Sequence, residues 1–99
     1  MCDDADDFGS GLDEEEAAIV AAFTPAQVDA IDDALLSDIT PTWSKVAMIL
    51  GKQLKAKPGI PDDVPLEYYW ERICRMIERG DLDSQGNIRR IRFSEVRRR

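Results

Sequence analysis

The chain has 99 residues, 43% of them hydrophobic, with thirteen Lys and Arg, twenty Asp and Glu, no histidine and a formal charge of −7. That length supports one domain with a modest core, the apolar fraction excludes disorder throughout, and the lack of histidine removes the commonest general base and metal ligand. The charge is also segregated: the first forty residues carry twelve carboxylates and no Lys or Arg, while the remaining fifty-nine hold all thirteen bases and eight acids, which gives a small protein two surfaces of opposite sign.

Residues 1–23 read as an acidic tail. The start M-C-D-D-A-D-D is acidic where a signal or transit peptide is basic, and no apolar run approaches the roughly 20 residues needed to cross a bilayer. The expectation is a cytoplasmic protein with no membrane contact, in which Cys2 and Cys74 stay thiols. From Asp13, D-E-E-E-A-A-I-V-A-A-F suggests a short helix with its acids in the first turn, where the helix dipole favours them. Ile19, Val20 and Phe23 would dock it.

Residues 24–99 form the expected domain. Thr24-Pro25-Ala26-Gln27 has the capping-box arrangement, with Pro at the first helical position. Val28, Ile31 and Leu35 recur at helical spacing. A second Thr-Pro pair, Thr40-Pro41, predicts another helix with Trp43, Val46, Ala47, Leu50 and Leu54 as its apolar stripe. Lys45, Lys52 and Lys55 share another face, and Lys57-Pro58-Gly59 ends the helix. A stiff loop with three prolines follows to Pro65. Asp62 or Asp63 is the expected cap of a third domain helix, which buries Leu66, Tyr69, Trp70, Ile73 and Ile77 and stops at Gly80. Beyond it the period changes. Leu82 to Gln85, a Gly86-Asn87 turn and Arg90 to Val96 predict a hairpin, with Ile91 and Phe93 on one side and Arg90, Arg92 and Ser94 on the other. The fold class expected is mainly α with a small β-hairpin: a winged-helix-like three-helix domain behind an acidic N-terminal tail. The loop of about eight residues between the second and third helices is longer than a helix-turn-helix usually uses.

No catalytic motif is present. Gly51-Lys52 lacks the upstream glycine and the Ser/Thr of a phosphate loop, the Asp run lacks the alternation of a calcium loop, and no serine has a base in a recognisable arrangement. The chain is read as non-enzymatic, with no cofactor and no metal. The sharpest positive feature is on the third helix, where Tyr68, Arg72, Arg75 and Arg79 are spaced four, three and four and so share a face. The hairpin adds Arg89, Arg90 and Arg92. One reading is a phosphate-contacting surface, with a helix in a groove and a wing on the backbone. The plainer reading is a solvated helix face and a charged strand edge that discourages aggregation. Glu67, Glu71 and Glu78 lie among the arginines and repel phosphate, and a pI of about 4.5 is low for a nucleic-acid binder. Trp43 and Trp70 are expected together in the core, and Cys74 as a small buried hydrophobe. The acidic tail either solubilises the chain or folds back over the Arg face and screens it.

The segments W-S-K-V-A (Trp43 to Ala47), Arg72-Ile73, R-G-D-L (Arg79 to Leu82), the Gly86 turn and R-F-S-E-V-R (Arg92 to Arg97) resemble a bacterial domain family of unknown function whose members include short stand-alone proteins. The resemblance covers about three quarters of the chain and leaves out the first twenty-three residues. It implies a winged-helix-like fold and supplies no activity or catalytic residue. Within the last segment Glu95 is expected to pair with Arg92 or Arg97. The leading functional expectation is a non-catalytic protein-interaction module, binding another protein or itself as a homodimer. The runner-up is a DNA-binding regulator using the third helix and wing. A weaker alternative, resting on charge alone, is an antitoxin or immunity protein that masks a basic partner.

Overall fold

A computed structural model describes residues 8–99. Residues 1–7, with Cys2 and the D-D-A-D-D run of the expected tail, lie outside the described residues. Helix α1 (Glu14–Ala21) starts at a reciprocal capping box: the Glu16 N–H donates to Asp13 Oδ1 at 2.8 Å, and the Asp13 N–H donates to Glu16 Oε1 at 3.1 Å. The box satisfies two of the donors that a helix start leaves unpaired. No residue of α1 is buried; the segment around it is held by Phe8, Leu12, Val20 and Phe23, which pack partly buried against the core. Helix α2 (Pro25–Asp38) begins at the predicted Thr24–Gln27 box, and its Ile31 and Leu35 are fully buried.

The second domain helix departs from expectation. The Thr40 hydroxyl oxygen accepts from the Thr42 N–H at 3.2 Å and closes a local turn rather than capping a helix. The chain then forms strand β1 (Ser44–Lys45) and enters α3 (Val46–Lys52) directly. No side chain caps α3. Its first donors are taken instead from the far end of the chain: Val46 N–H reaches Ser94 O at 3.1 Å and Ala47 N–H reaches Ile91 O at 3.0 Å. Trp43 therefore sits outside the helix, half-buried and apart from the core cluster, and Leu54 lies past the helix end, 73% exposed.

Helix α4 (Leu66–Arg79) follows Pro65 with no side-chain cap, so neither Asp62 nor Asp63 plays that part. It buries Tyr68, Tyr69, Trp70, Ile73 and Met76, and ends at Gly80, whose φ of 86° is the left-handed conformation glycine adopts without a Cβ clash. Strand β2 (Leu82–Gln85) leads into Gly86, at φ 80°, where a Cβ would run into the Phe93 carbonyl oxygen. Strand β3 (Glu95–Arg98) starts later than the period predicted. Residues 87–93 form two successive turns instead, closed by Arg90 N–H to Asn87 O at 2.9 Å and Phe93 N–H to Arg90 O at 2.8 Å. The expected sides are exchanged only at their end: Ile91 packs partly buried against the core and Arg92 is exposed, whereas Phe93 is 65% exposed and Ser94 is 1% exposed.

The three strands form one antiparallel sheet in the order β1-β3-β2, with Val96 opposite both Ser44 and Ser84. The expected hairpin is thus the larger part of a three-stranded sheet, and the described residues form a small α+β domain of four helices and that sheet. Ile31, Leu35, Ile49, Ile73, Met76 and Val96 meet in the core between α2, α3, α4 and β3. Among the described residues no helix is long and apolar enough to cross a membrane.

Candidate functional site

The arginine face of α4 is turned inward along its first half. Tyr68, expected on that face, is 8% exposed and packs edge-on against Phe23 with ring centroids 5.6 Å apart. Arg72 forks onto Asp32 of α2, its Nε and Nη2 donating to the two carboxylate oxygens at 2.9 and 2.8 Å. That hydrogen bond and the carboxylate charge raise the Arg72 pKa further, so the guanidinium stays charged. Arg79 donates twice to Asp81, at 3.1 and 2.9 Å, in an exposed pair. Arg75 alone of the four is exposed with no ion pair among the described residues. The 4-3-4 spacing does mark one face, and α2 covers the first half of it.

A second, half-buried stripe of α4 is acidic. Glu67, Glu71, Cys74 and Glu78 follow one another at helical spacing, and the Cys74 thiol is pushed up to about 11, first by burial and then by the Glu78, Glu71 and Glu67 carboxylates. A thiol at that value is protonated at neutral pH and a poor nucleophile. The Gly9 N–H caps one end of the stripe, donating to Glu67 Oε2 at 2.7 Å.

On the loop between β2 and β3, Arg89 holds the N-terminal segment. Its Nε donates to Phe8 O at 2.7 Å, and its carbonyl accepts from the Phe8 N–H at 2.8 Å. Phe8 also lies against Trp70, ring centroids 6.3 Å apart. Arg90 stacks its guanidinium over Phe93 at 5.2 Å, and the Arg92 carbonyl accepts from Lys45 Nζ at 3.1 Å. At the chain end Arg97 and Arg99 both reach Asp83, at 3.2 and 2.9 Å, and Arg97 covers the Trp43 ring at 4.6 Å. Glu95 pairs with neither Arg92 nor Arg97; it accepts from Gln85 Nε2 at 2.6 Å across the strand pair.

One surface escaped the sequence reading. Met48 and Lys52 are four apart on α3 and exposed, with exposed Lys45 just before the helix and Lys55 just past it, and Lys45 Nζ ties the start of α3 to the Arg92 carbonyl of the hairpin loop. Met48 is 60% exposed and Phe93 is 65% exposed. The lysines were legible as a face. Met48 within it was overlooked, and strict strand alternation hid Phe93, because the turn at 90–93 breaks the two-residue period.

A cavity of about 320 Å³ lies under the loop after α3, between Gln53, Lys57, Ile60, Val64, Leu66 and Tyr69. Beside it Lys57 Nζ donates to Asp38 at 3.0 Å and to Gln53 Oε1 at 3.0 Å, while Gln53 Nε2 donates to Asp38 at 2.8 Å. Burial pushes the Asp38 carboxyl up, but those hydrogen bonds and the Lys57 and Lys52 charges outweigh it and hold the pKa below the ordinary value. The cluster is closed on itself and ties α2 to the loop. Among the described residues no group of three or more Cys, Asp or Glu is placed to hold a metal ion. No known protein family, curated protein or solved structure matches the chain.

Proposed function

We propose that this chain is a non-catalytic protein-interaction module of winged-helix type. The fold type is supported by the run α2, β1, α3, α4, β2, β3 and by the sheet order β1-β3-β2; on this reading the last two strands and their loop are the wing. The observation that carries the interaction reading is Met48 and Phe93, two large apolar side chains left exposed on two segments, α3 and the hairpin loop, that backbone hydrogen bonds hold together. Scattered exposed apolar residues are ordinary, but a cluster with a polar rim is how interfaces are built.

A DNA-binding regulator is the second reading, favoured by Arg89, Arg90 and Arg92 on the wing. The acidic stripe of α4 weighs against it, since Glu67, Glu71 and Glu78 would face phosphates. Immobilised chain exposed to cell lysate separates the two. The module reading expects a protein captured equally with and without nuclease and lost on Phe93→Asp. Capture that vanishes with nuclease, and falls in similar steps for Arg89→Ala, Arg90→Ala and Arg92→Ala, overturns it in favour of the regulator.

A further inference from the structure

We propose that the cavity under the loop after α3 is a binding site for a small organic monocarboxylate, its carboxylate meeting the Tyr69 hydroxyl and the loop lysines and its apolar body lying against Ile60, Val64 and Leu66. The inference goes beyond the interaction-module reading and does not depend on it. The cavity has a volume of about 320 Å³. A void of about 150 Å³ admits one benzene ring, so this one has room for a ring and a carboxylate, and it lies at the lower end of the size range of small-molecule sites. Its outer wall is stiff. Pro58, Pro61 and Pro65 fix φ along the loop, and the Ile60 N–H donates to Lys57 O at 3.3 Å. A wall that holds its shape lowers the cost of ordering on binding.

Tyr69 is the residue that points to a ligand. It is 4% exposed and lines the cavity, yet among the described residues its hydroxyl has no hydrogen-bond partner. Buried polar groups are ordinarily bonded, as Trp70 beside it is, through Nε1 to Ile88 O. Burial alone pushes the Tyr69 phenol up, so it stays protonated and offers a donor. The surrounding charge selects an anion. Lys55 and Lys57 line the cavity. Asp38 and Gln53 take two of the three Lys57 N–H donors and leave one. Lys52 stands close enough to help lower the Asp38 pKa. Three lysines thus face two carboxylates, Asp38 and Asp62, an excess of one positive charge. Asp62 is exposed, where water and salt screen its repulsion of an anion. A monoanion balances that excess, whereas a dianion overshoots it and a cation meets the ammonium groups.

Titration of the full chain with sodium benzoate at pH 7, followed by backbone amide NMR shifts, tests this. The shifts should saturate and concentrate at residues 53–57, 60–66 and 69. Benzyl alcohol, the same ring without the charge, should bind about tenfold more weakly, because it loses the charge-assisted hydrogen bonds. Tyr69→Phe keeps the ring and removes a hydroxyl that no protein group uses. It should melt with the parent and bind benzoate about tenfold more weakly, the loss of one hydrogen bond to a charged acceptor. Shifts that never saturate overturn the proposal. So do saturable shifts spread over the exposed lysines instead of the cavity, which mark an adventitious anion only. Benzyl alcohol bound as tightly as benzoate overturns the monocarboxylate. A Tyr69→Phe variant that binds benzoate like the parent overturns the site, and one that melts below the parent reveals a protein partner for the hydroxyl and overturns it too.

Discussion

Trp43 and Trp70 show how far residue type alone carries. Trp70 is 9% exposed, donates its Nε1 proton to Ile88 O at 2.9 Å and is covered by Phe8. Trp43 lies outside the core, half-buried, with Arg97 over its ring. Trp70→Ala is expected to cost about 3–5 kcal/mol, a large part of what a domain of this size holds. Trp43→Ala removes chiefly the cation contact, about 1 kcal/mol. Urea unfolding monitored by circular dichroism checks both, and equal losses would contradict the placement of Trp43. Cys74 supplies a second residue-scale test. A thiol at about 11, against an ordinary 9.0, has at pH 8 roughly a hundredth of the usual thiolate, so alkylation should be slower by about that factor. Measured in a Cys2→Ser background, the rate should rise when Glu71 and Glu78 are replaced by Gln, since both carboxylates hold the thiol protonated.

At the scale of elements, α4 presents one face to α2, one to the core and a half-buried acidic stripe beside them. The Arg72–Asp32 fork pins α4 to α2 with both side chains mostly buried, at 20% and 14% exposure. Arg72→Met or Asp32→Asn alone should destabilise by about 1–3 kcal/mol, because each strands a partly desolvated charge or acceptor. The double variant should lose clearly less than the sum, since nothing remains to be stranded. A double-mutant cycle by chemical denaturation measures this, and additive losses would mean the pair does not couple the helices. The β2–β3 connection follows a different logic. Gly86 turns the chain as its sequence predicts, but the strand it leads to starts at Glu95 because the intervening residues fold into a second turn over the start of α3.

For the whole molecule, charge segregation is partly resolved within the fold, through Arg72 to Asp32 and Lys57 to Asp38. Asp38 makes acid stability a property of the whole assembly, since it ties the end of α2 to the loop before α4. Its folded pKa lies below the ordinary 3.8, so its contribution is present above that value and lost as pH falls through the lower folded value. Asp38→Asn should therefore lower the melting temperature at pH 7 and converge with the parent as pH drops below about 4; a gap that persists at acid pH would deny the linkage. The sequence by itself determined the Thr24 capping box, a short helix from Asp13 with its acids in the first turn, the Tyr69, Trp70 and Ile73 part of the buried stripe of α4, the Gly80 stop and the Gly86 turn. Each is set by residues three or four apart or by one backbone conformation, and such preferences hold wherever the segment sits. Only the tertiary structure decided the start of α3, the strand at Ser44–Lys45, the turn at 90–93 and which arginines face solvent. Those depend on partners far along the chain, as with Arg72 and Asp32, 40 residues apart, or Phe8 and Arg89, 81 apart, and spacing within one helix carries no information about which neighbour covers its face.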